Sequence, residues 1–317
     1  MDVGELGEFG LIELVTKRFA PTAHVLLGPG DDAAVVQAPD GRVVISTDML
    51  IEGRHFRRDW SSAHDVGRKA AAQNLADIAA MGANPTALVV GLGVPATLDV
   101  DWVAQFSDGF ATECELVGAR IVGGDIVRAE LITIAVTVLG DLQGRPAVTR
   151  TGAKPGDVIA MAGRLGWAAA GLAILGRGFR SPRVLVDAHR VPEPPYAAGV
   201  SAAIHGATSM IDISDGLVSD VRHLAVASGC SMHVHSNLLV VDTPVAEAAA
   251  AFNADPLTWV LTGGDDHALV ATFPARGGLP DGFIMIGEVL EGDAGVMVDG
   301  QAVEASGGWD HFRAEKP

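Results

Sequence analysis

Cysteine is scarce in this chain. Of 317 residues only Cys114 and Cys230 are cysteine, and they share no spacing with zinc or redox motifs. No disulfide framework is expected, and each thiol reads as a small buried hydrophobe in a reducing compartment. Basic residues are also few, with 22 Lys plus Arg against 39 Asp plus Glu and a formal net charge of −17. A surface with that balance repels nucleic acid and anionic lipid unless it holds a local basic patch, and none is legible. No apolar run approaches the roughly 18 residues needed to cross a bilayer. The opening MDVGELGEFG has neither the basic nor the apolar stretch of a signal peptide, so a cytoplasmic location is expected. Walker A, HExxH and CxxC motifs are absent, no GxGxxG opens a helix after a strand, and Lys154 in GAKPGD lacks P-loop spacing. Zinc chemistry and the common nucleotide loops are thereby disfavoured.

Hydrophobic residues make up 49% of the chain, with aromatics at only 5%, so alanine, valine and glycine carry the core. That suits a close-packed α/β protein, and the length calls for two domains. The pattern predicts a helix over 4–19, a strand over 43–48 and a helix over 62–81 closed by Gly82 and Pro85. A strand at 86–93, a helix at 100–118 and strands at 120–124 and 131–139 complete a series close to the split βαβ arrangement. The Gly- and Pro-rich segment 144–157 reads as an interdomain boundary, giving domains 1–148 and 149–317. The second half also mixes helices with strands, at 157–163, 210–214, 231–235, 267–273, 283–290 and 295–299.

Aspartates recur at the ends of apolar runs. GPGDDAAVV places Asp31 and Asp32 after a glycine turn, and ISTD brings Ser46, Thr47 and Asp48 to the expected end of a strand. On the helix 62–81, Gln73, Asn74 and Asp77 form one polar stripe among alanines. RIVGGD carries Asp125 behind two glycines that would let the chain approach a ligand. MIDISD presents Asp212, Ser214 and Asp215 before a helix, and LTGGDD presents Asp265 and Asp266. Each alone also reads as a turn or a helix cap. Together they are hard to keep ionised unless cations lie among them, and oxygen donors favour Mg²⁺ or Mn²⁺. A phosphate pocket lined by aspartates would hold its anion through several bridging Mg²⁺ ions, with Arg150 as one direct cation.

In order along the chain, GDDAAVV, ISTDMLIEGRHF, NLADIAAMGA, IVGGD, TRTGAKPGD, IDISDGL, LTGGDD and GGWDHF resemble the thiamine-monophosphate kinase family from Gly7 to Phe312. That family is related to aminoimidazole ribonucleotide synthetase, selenophosphate synthetase and a hydrogenase maturation protein. The resemblance implies an α/β (α+β) fold of two domains. The N-terminal one, split βαβ in type, would bind metal and ATP and pair in a homodimer. The C-terminal α+β domain would complete the active site. It implies ATP-dependent phosphorylation of thiamine monophosphate to thiamine diphosphate, by direct in-line transfer without a catalytic side chain acting as nucleophile or strong base.

By the same resemblance Asp32, Ser46, Thr47, Asp48, Asp77, Asp125, Asp212 and Asp215 are the magnesium ligands. Gly124, Asp125, Arg150 and Ser214 contact ATP, and His55, Asp265 and Trp309 contact the thiamine phosphate. Two departures stand out. The family's Gly-Gly-Glu-Asp followed by an aromatic is here Gly263-Gly264-Asp265-Asp266-His267, and Ile126 stands where a threonine is usual. Alternative readings are another enzyme of the superfamily, or a non-catalytic protein that binds nucleotide or divalent cation.

Overall fold

The structure is a computed structural model and describes residues 2–17, 23–27 and 34–303. Asp32 and Trp309 lie outside the described residues. The chain divides into two compact units, one of residues 1–79 and 83–146, the other of residues 80–82 and 147–317. Among the described residues no helix is long and apolar enough to cross a membrane. Both cysteines are free and buried, and burial pushes both thiols up from their ordinary pKa.

In the first unit, α1 (Val3–Thr16) opens with a reciprocal cap between Asp2 and Glu5, followed by the short strands β1 (Val25–Leu27) and β2 (Val35–Val36). Then come β3 (Val44–Ile51), α2 (Ala63–Ala80), β4 (Asn84–Val94), α3 (Val100–Glu115), β5 (Arg120–Arg128) and β6 (Thr133–Asp141). The sheet order is β3-β6-β4-β5, with β4 and β5 parallel and β6 antiparallel to both its neighbours. Strand β6 thus lies between β3 and β4, which α2 connects, and this is the split βαβ pattern. Strand alternation gives the sheet two unlike faces. One carries Leu50, Ile134, Val136 and Val138, all fully buried, as are Ala71, Leu75 and Ile78 of α2. Burying each of the larger side chains stabilises the fold by roughly 1.5–3 kcal/mol. The other face exposes Ile45, Met49, Val89 and Val127.

The second unit contains β7 (Asp157–Ala162), α4 (Trp167–Gly176), α5 (Arg183–Arg190), α6 (Tyr196–Ile204), β8 (Ser209–Ile213), α7 (Leu217–Ser228) and β9 (Ser231–Val234). It continues through α8 (Thr243–Ala251), α9 (Pro256–Thr262), β10 (Ala268–Pro274), β11 (Phe283–Leu290), β12 (Gly295–Val298) and β13 (Gln301–Ala302). The strands form one sheet, β13-β12-β9-β11-β7-β10-β8, whose core joins Ile159, Ile213, Val270 and Ile286 to Leu217, Val221 and Leu224 of α7. Strand β8 is buried along its whole length, so polar groups on it need partners. Helix α5 is short and polar between prolines, and periodicity did not reveal it.

Candidate functional site

Two expectations about strand ends are corrected by the structure. β3 runs on to Ile51, so Ser46, Thr47 and Asp48 lie mid-strand. β5 runs on to Arg128, so Gly123, Gly124 and Asp125 lie inside it. Mid-strand position makes alternation decisive, because neighbouring residues point to opposite faces. Ser46 and Asp48 face α2. Ser46 Oγ donates to Asp77 Oδ2 at 2.6 Å, and Gln73 Nε2 donates to Asp48 Oδ2 at 3.1 Å. Residues 73 and 77, one helical turn apart, thus engage residues 46 and 48, two apart on a strand. Asn74 does not belong to that stripe. It is fully buried, and its Nδ2 donates to the Ala70 carbonyl of its own helix.

Thr47 points the other way, its hydroxyl donating to Val136 O at 2.8 Å and accepting from Thr137 Oγ1 at 3.3 Å. Asp125 pairs with Gly91, which pairs with Ala135 and so with Met49. That row is on the exposed apolar face, whereas Asp48 belongs to the adjacent row with Val136, Val90 and Gly124. Within this unit Ser46, Asp48 and Asp77 are therefore brought together, and Thr47 Oγ1 and Asp125 are not. His55, half-buried in the turn after β3, accepts the Ile51 N–H at Nδ1 over 2.9 Å. That contact places a neutral ring's proton on Nε2.

In the second unit the β8–α7 and α9–β10 turns are joined by main-chain bonds. Asp265 N–H donates to Ser214 O at 2.9 Å and His267 N–H to Ile213 O at 3.0 Å. Asp265 and His267 both have positive φ, 69° and 52°. A Cβ on Gly264 would stand 2.2 Å from Ser214 O, so this glycine serves the joining of the two turns. Gly124 is likewise set by Val90 O, 2.1 Å from where its Cβ would be. In both motifs a neighbouring backbone, rather than a ligand, demands the glycine.

Asp212 is buried on β8, and His267 Nδ1 lies 2.9 Å from its Oδ2. Asp215 and Ser214 follow in the turn, both half-buried. Asp220, to which the sequence reading gave no role, accepts the Asp215 and Gly216 N–H groups at 3.0 and 3.1 Å. Burial, with added repulsion from Asp212 and Asp215, pushes its carboxyl up to about 8. Such crowding of carboxylates is what a divalent cation relieves. Asp266 turns away to α4, where its Oδ1 accepts the Ala168 N–H at 2.8 Å. Burial pushes its carboxyl up to about 7. Arg150 is exposed, and its carbonyl accepts from Ser228 Oγ at 3.2 Å.

Among the described residues no three His, Cys, Asp or Glu side chains are gathered so as to hold a metal ion. The groups turned to one side are hard oxygens: Ser46 bonded to Asp77, with Asp48 on the same strand face and held by Gln73 of the same helix, and neighbouring carboxylates at Asp212, Asp215 and Asp220. That donor set fits Mg²⁺, which commonly takes one or two carboxylates and completes its octahedron with water and phosphate oxygens.

The chain matches the AIR synthase related protein N-terminal domain over residues 30–142 and the C-terminal domain of the same family over residues 154–299. It is 50% identical over 309 residues to the thiamine-monophosphate kinase of Mycobacterium tuberculosis, covering 97% of this chain and 92% of that protein. A crystal structure of thiamine-monophosphate kinase from Stenotrophomonas maltophilia K279a aligns with a TM-score of 0.82 at 31% identity, covering 92% of this chain and 96% of that one. A structure described as AaThiL complexed with AMPPCP and TMP aligns at 0.78 with 32% identity, covering 98% of this chain and 99% of that one. With two AIR synthase related domains in order and near-full-length identity of this extent, the chain belongs to the thiamine-monophosphate kinase family.

Proposed function

We propose that this protein transfers a phosphoryl group from ATP to thiamine monophosphate, giving thiamine diphosphate and ADP with Mg²⁺ as cofactor. The observation that carries the reading is a relative, aligned over 98% of this chain, whose structure is described with both AMPPCP and TMP. The acceptor is a phosphate oxygen. A phosphomonoester has a second pKa near 6 and is largely deprotonated at pH 7, so no strong general base is required. Catalysis then rests on positioning and charge neutralisation in an in-line transfer.

Bound Mg²⁺ would neutralise the charge on the transferring phosphoryl oxygens. Asp48 and Asp77 would hold it in the first unit, with Ser46 beside them, and Asp212 and Asp215 would serve in the second. Asp32 takes its assignment from the resemblance alone. A ligand from Thr47 on the Asp48 side would be its main chain, since its hydroxyl faces Val136 O. Asp125, on the opposite face from Asp48, would serve a different ion within one chain. Gly124, Arg150 and Ser214 are assigned to ATP, and His55, Asp265 and Trp309 to the thiamine phosphate. His55 would offer its Nε2–H, because Nδ1 is engaged by Ile51.

The apolar sheet face is assigned to a second copy of the chain. Ile45 is 64% exposed and Met49 52% exposed on it, an arrangement that favours burial against a like surface. Light scattering on the parent and on Ile45→Asp tests this: a dimer that becomes a monomer is expected, and a monomeric parent overturns it.

ADP release is the test of function. Full activity is expected only with ATP, Mg²⁺ and thiamine monophosphate together. ADP release that ignores the acceptor, or a preference for thiamine or an aminoimidazole precursor, would refute the reading.

A further inference from the structure

His267 stands where the resemblance to the family leads one to expect an aromatic residue, and the structure gives it a specific neighbour. Its ring lies 2.9 Å from Asp212 Oδ2, and the two residues are only 5% and 6% exposed. The main chain holds residue 267 beside β8 on both sides. Its N–H is bonded to Ile213 O, and two residues later Leu269 pairs with Asp212 itself across β10 and β8. An ionised carboxylate only accepts hydrogen bonds, so the shared proton belongs to Nδ1. A buried carboxylate needs such a donor to hold one orientation. With Oδ2 engaged by the ring, Oδ1 is the oxygen left to a cation.

We propose that His267 is a positioning residue that holds the Asp212 carboxylate in the orientation needed to ligate a divalent cation. This rests on the assignment of Asp212 to Mg²⁺ above. Partners of this kind, behind a metal ligand, change metal affinity by about 10–100-fold when removed. Asparagine can place an amide N–H near the position of Nδ1, and it tolerates the positive φ of residue 267. Glutamine places its amide nearer the position of Nε2.

The test is Mn²⁺ uptake, followed by electron paramagnetic resonance with AMPPCP present, on the full-length parent and on H267N, H267Q and D212A. Thermal midpoints are measured alongside. H267Q is expected to weaken Mn²⁺ binding about tenfold and H267N to restore it close to the parent. H267Q binding Mn²⁺ as the parent does overturns the role of His267. Equal losses in H267N and H267Q, following their thermal midpoints, also overturn it, since a purely structural residue behaves that way. If D212A retains parental Mn²⁺ uptake, the metal assignment itself falls and the proposal falls with it. Loss in D212A with parental binding in H267Q sinks the histidine's role alone.

Discussion

Replacing Asp266 with Asn should make the protein more stable, and by an amount that grows with pH. Asp266 is 5% exposed, its Oδ1 takes the Ala168 N–H at 2.8 Å, and its Oδ2 has no hydrogen-bond partner among the described residues. Burial raises its carboxyl from 3.8 to about 7, against the lowering effect of the Ala168 and Gly166 N–H groups. The folded state therefore binds more protons than the unfolded state between those values. Stability from the neutral form is fully present below pH 3.8 and is lost as pH rises through about 7.

Raising this carboxyl from 3.8 to about 7, at about 1.36 kcal/mol for each tenfold change in proton affinity, is worth about 4 kcal/mol over the whole window. The part between pH 5.5 and 7 is about 2 kcal/mol. Asparagine is neutral throughout and keeps an oxygen for the Ala168 N–H. Urea unfolding followed by far-ultraviolet circular dichroism from pH 5.5 to 8.5, parent minus D266N, isolates this group from the other carboxylates. The advantage of D266N should widen by about 2 kcal/mol up to pH 7 and then level off. A difference independent of pH would refute the buried, proton-retaining carboxyl.

Asp77→Asn removes a charge beside Asp48 and Ser46, and ADP release should fall by roughly 100-fold or more, while a near-parental rate would sink the first unit's part in the site. Chelation of Mg²⁺ in the presence of AMPPCP should lower the thermal midpoint, since a ligand at 100 times its Kd stabilises by about 2.7 kcal/mol; an unchanged midpoint counts against metal-coupled nucleotide binding. Gly124→Ala puts a Cβ 2.1 Å from Val90 O, whereas Gly123→Ala meets nothing within 4 Å. Denaturant melts should therefore show a loss of about 1–3 kcal/mol for the first and little change for the second, and equal effects would contradict the close approach of β4 and β5.

Local chemistry is written in consecutive residues, and the sequence by itself determined that part. The alanine-rich period of 62–81, the apolar runs and the glycine punctuation were enough for most of the longer elements and for the split βαβ order, but not for α5, for the short β1 and β2, or for the ends of β3 and β5. The ordered aspartate motifs were enough for the family. Only the tertiary structure decided which of those aspartates meet. The length of β3 and β5 sets the faces of Thr47 and Asp125, and strand ends are set by pairing across the sheet, which no local pattern reports. Ser46 reaches Asp77 across 31 positions and Asp212 reaches His267 across 55. Gly124 and Gly264 carry the same limit: their motif was legible, but its cause is a carbonyl brought alongside by a distant strand or turn. Contacts of that range exist only once the chain has closed, because they depend on register and burial rather than on the residues next in line.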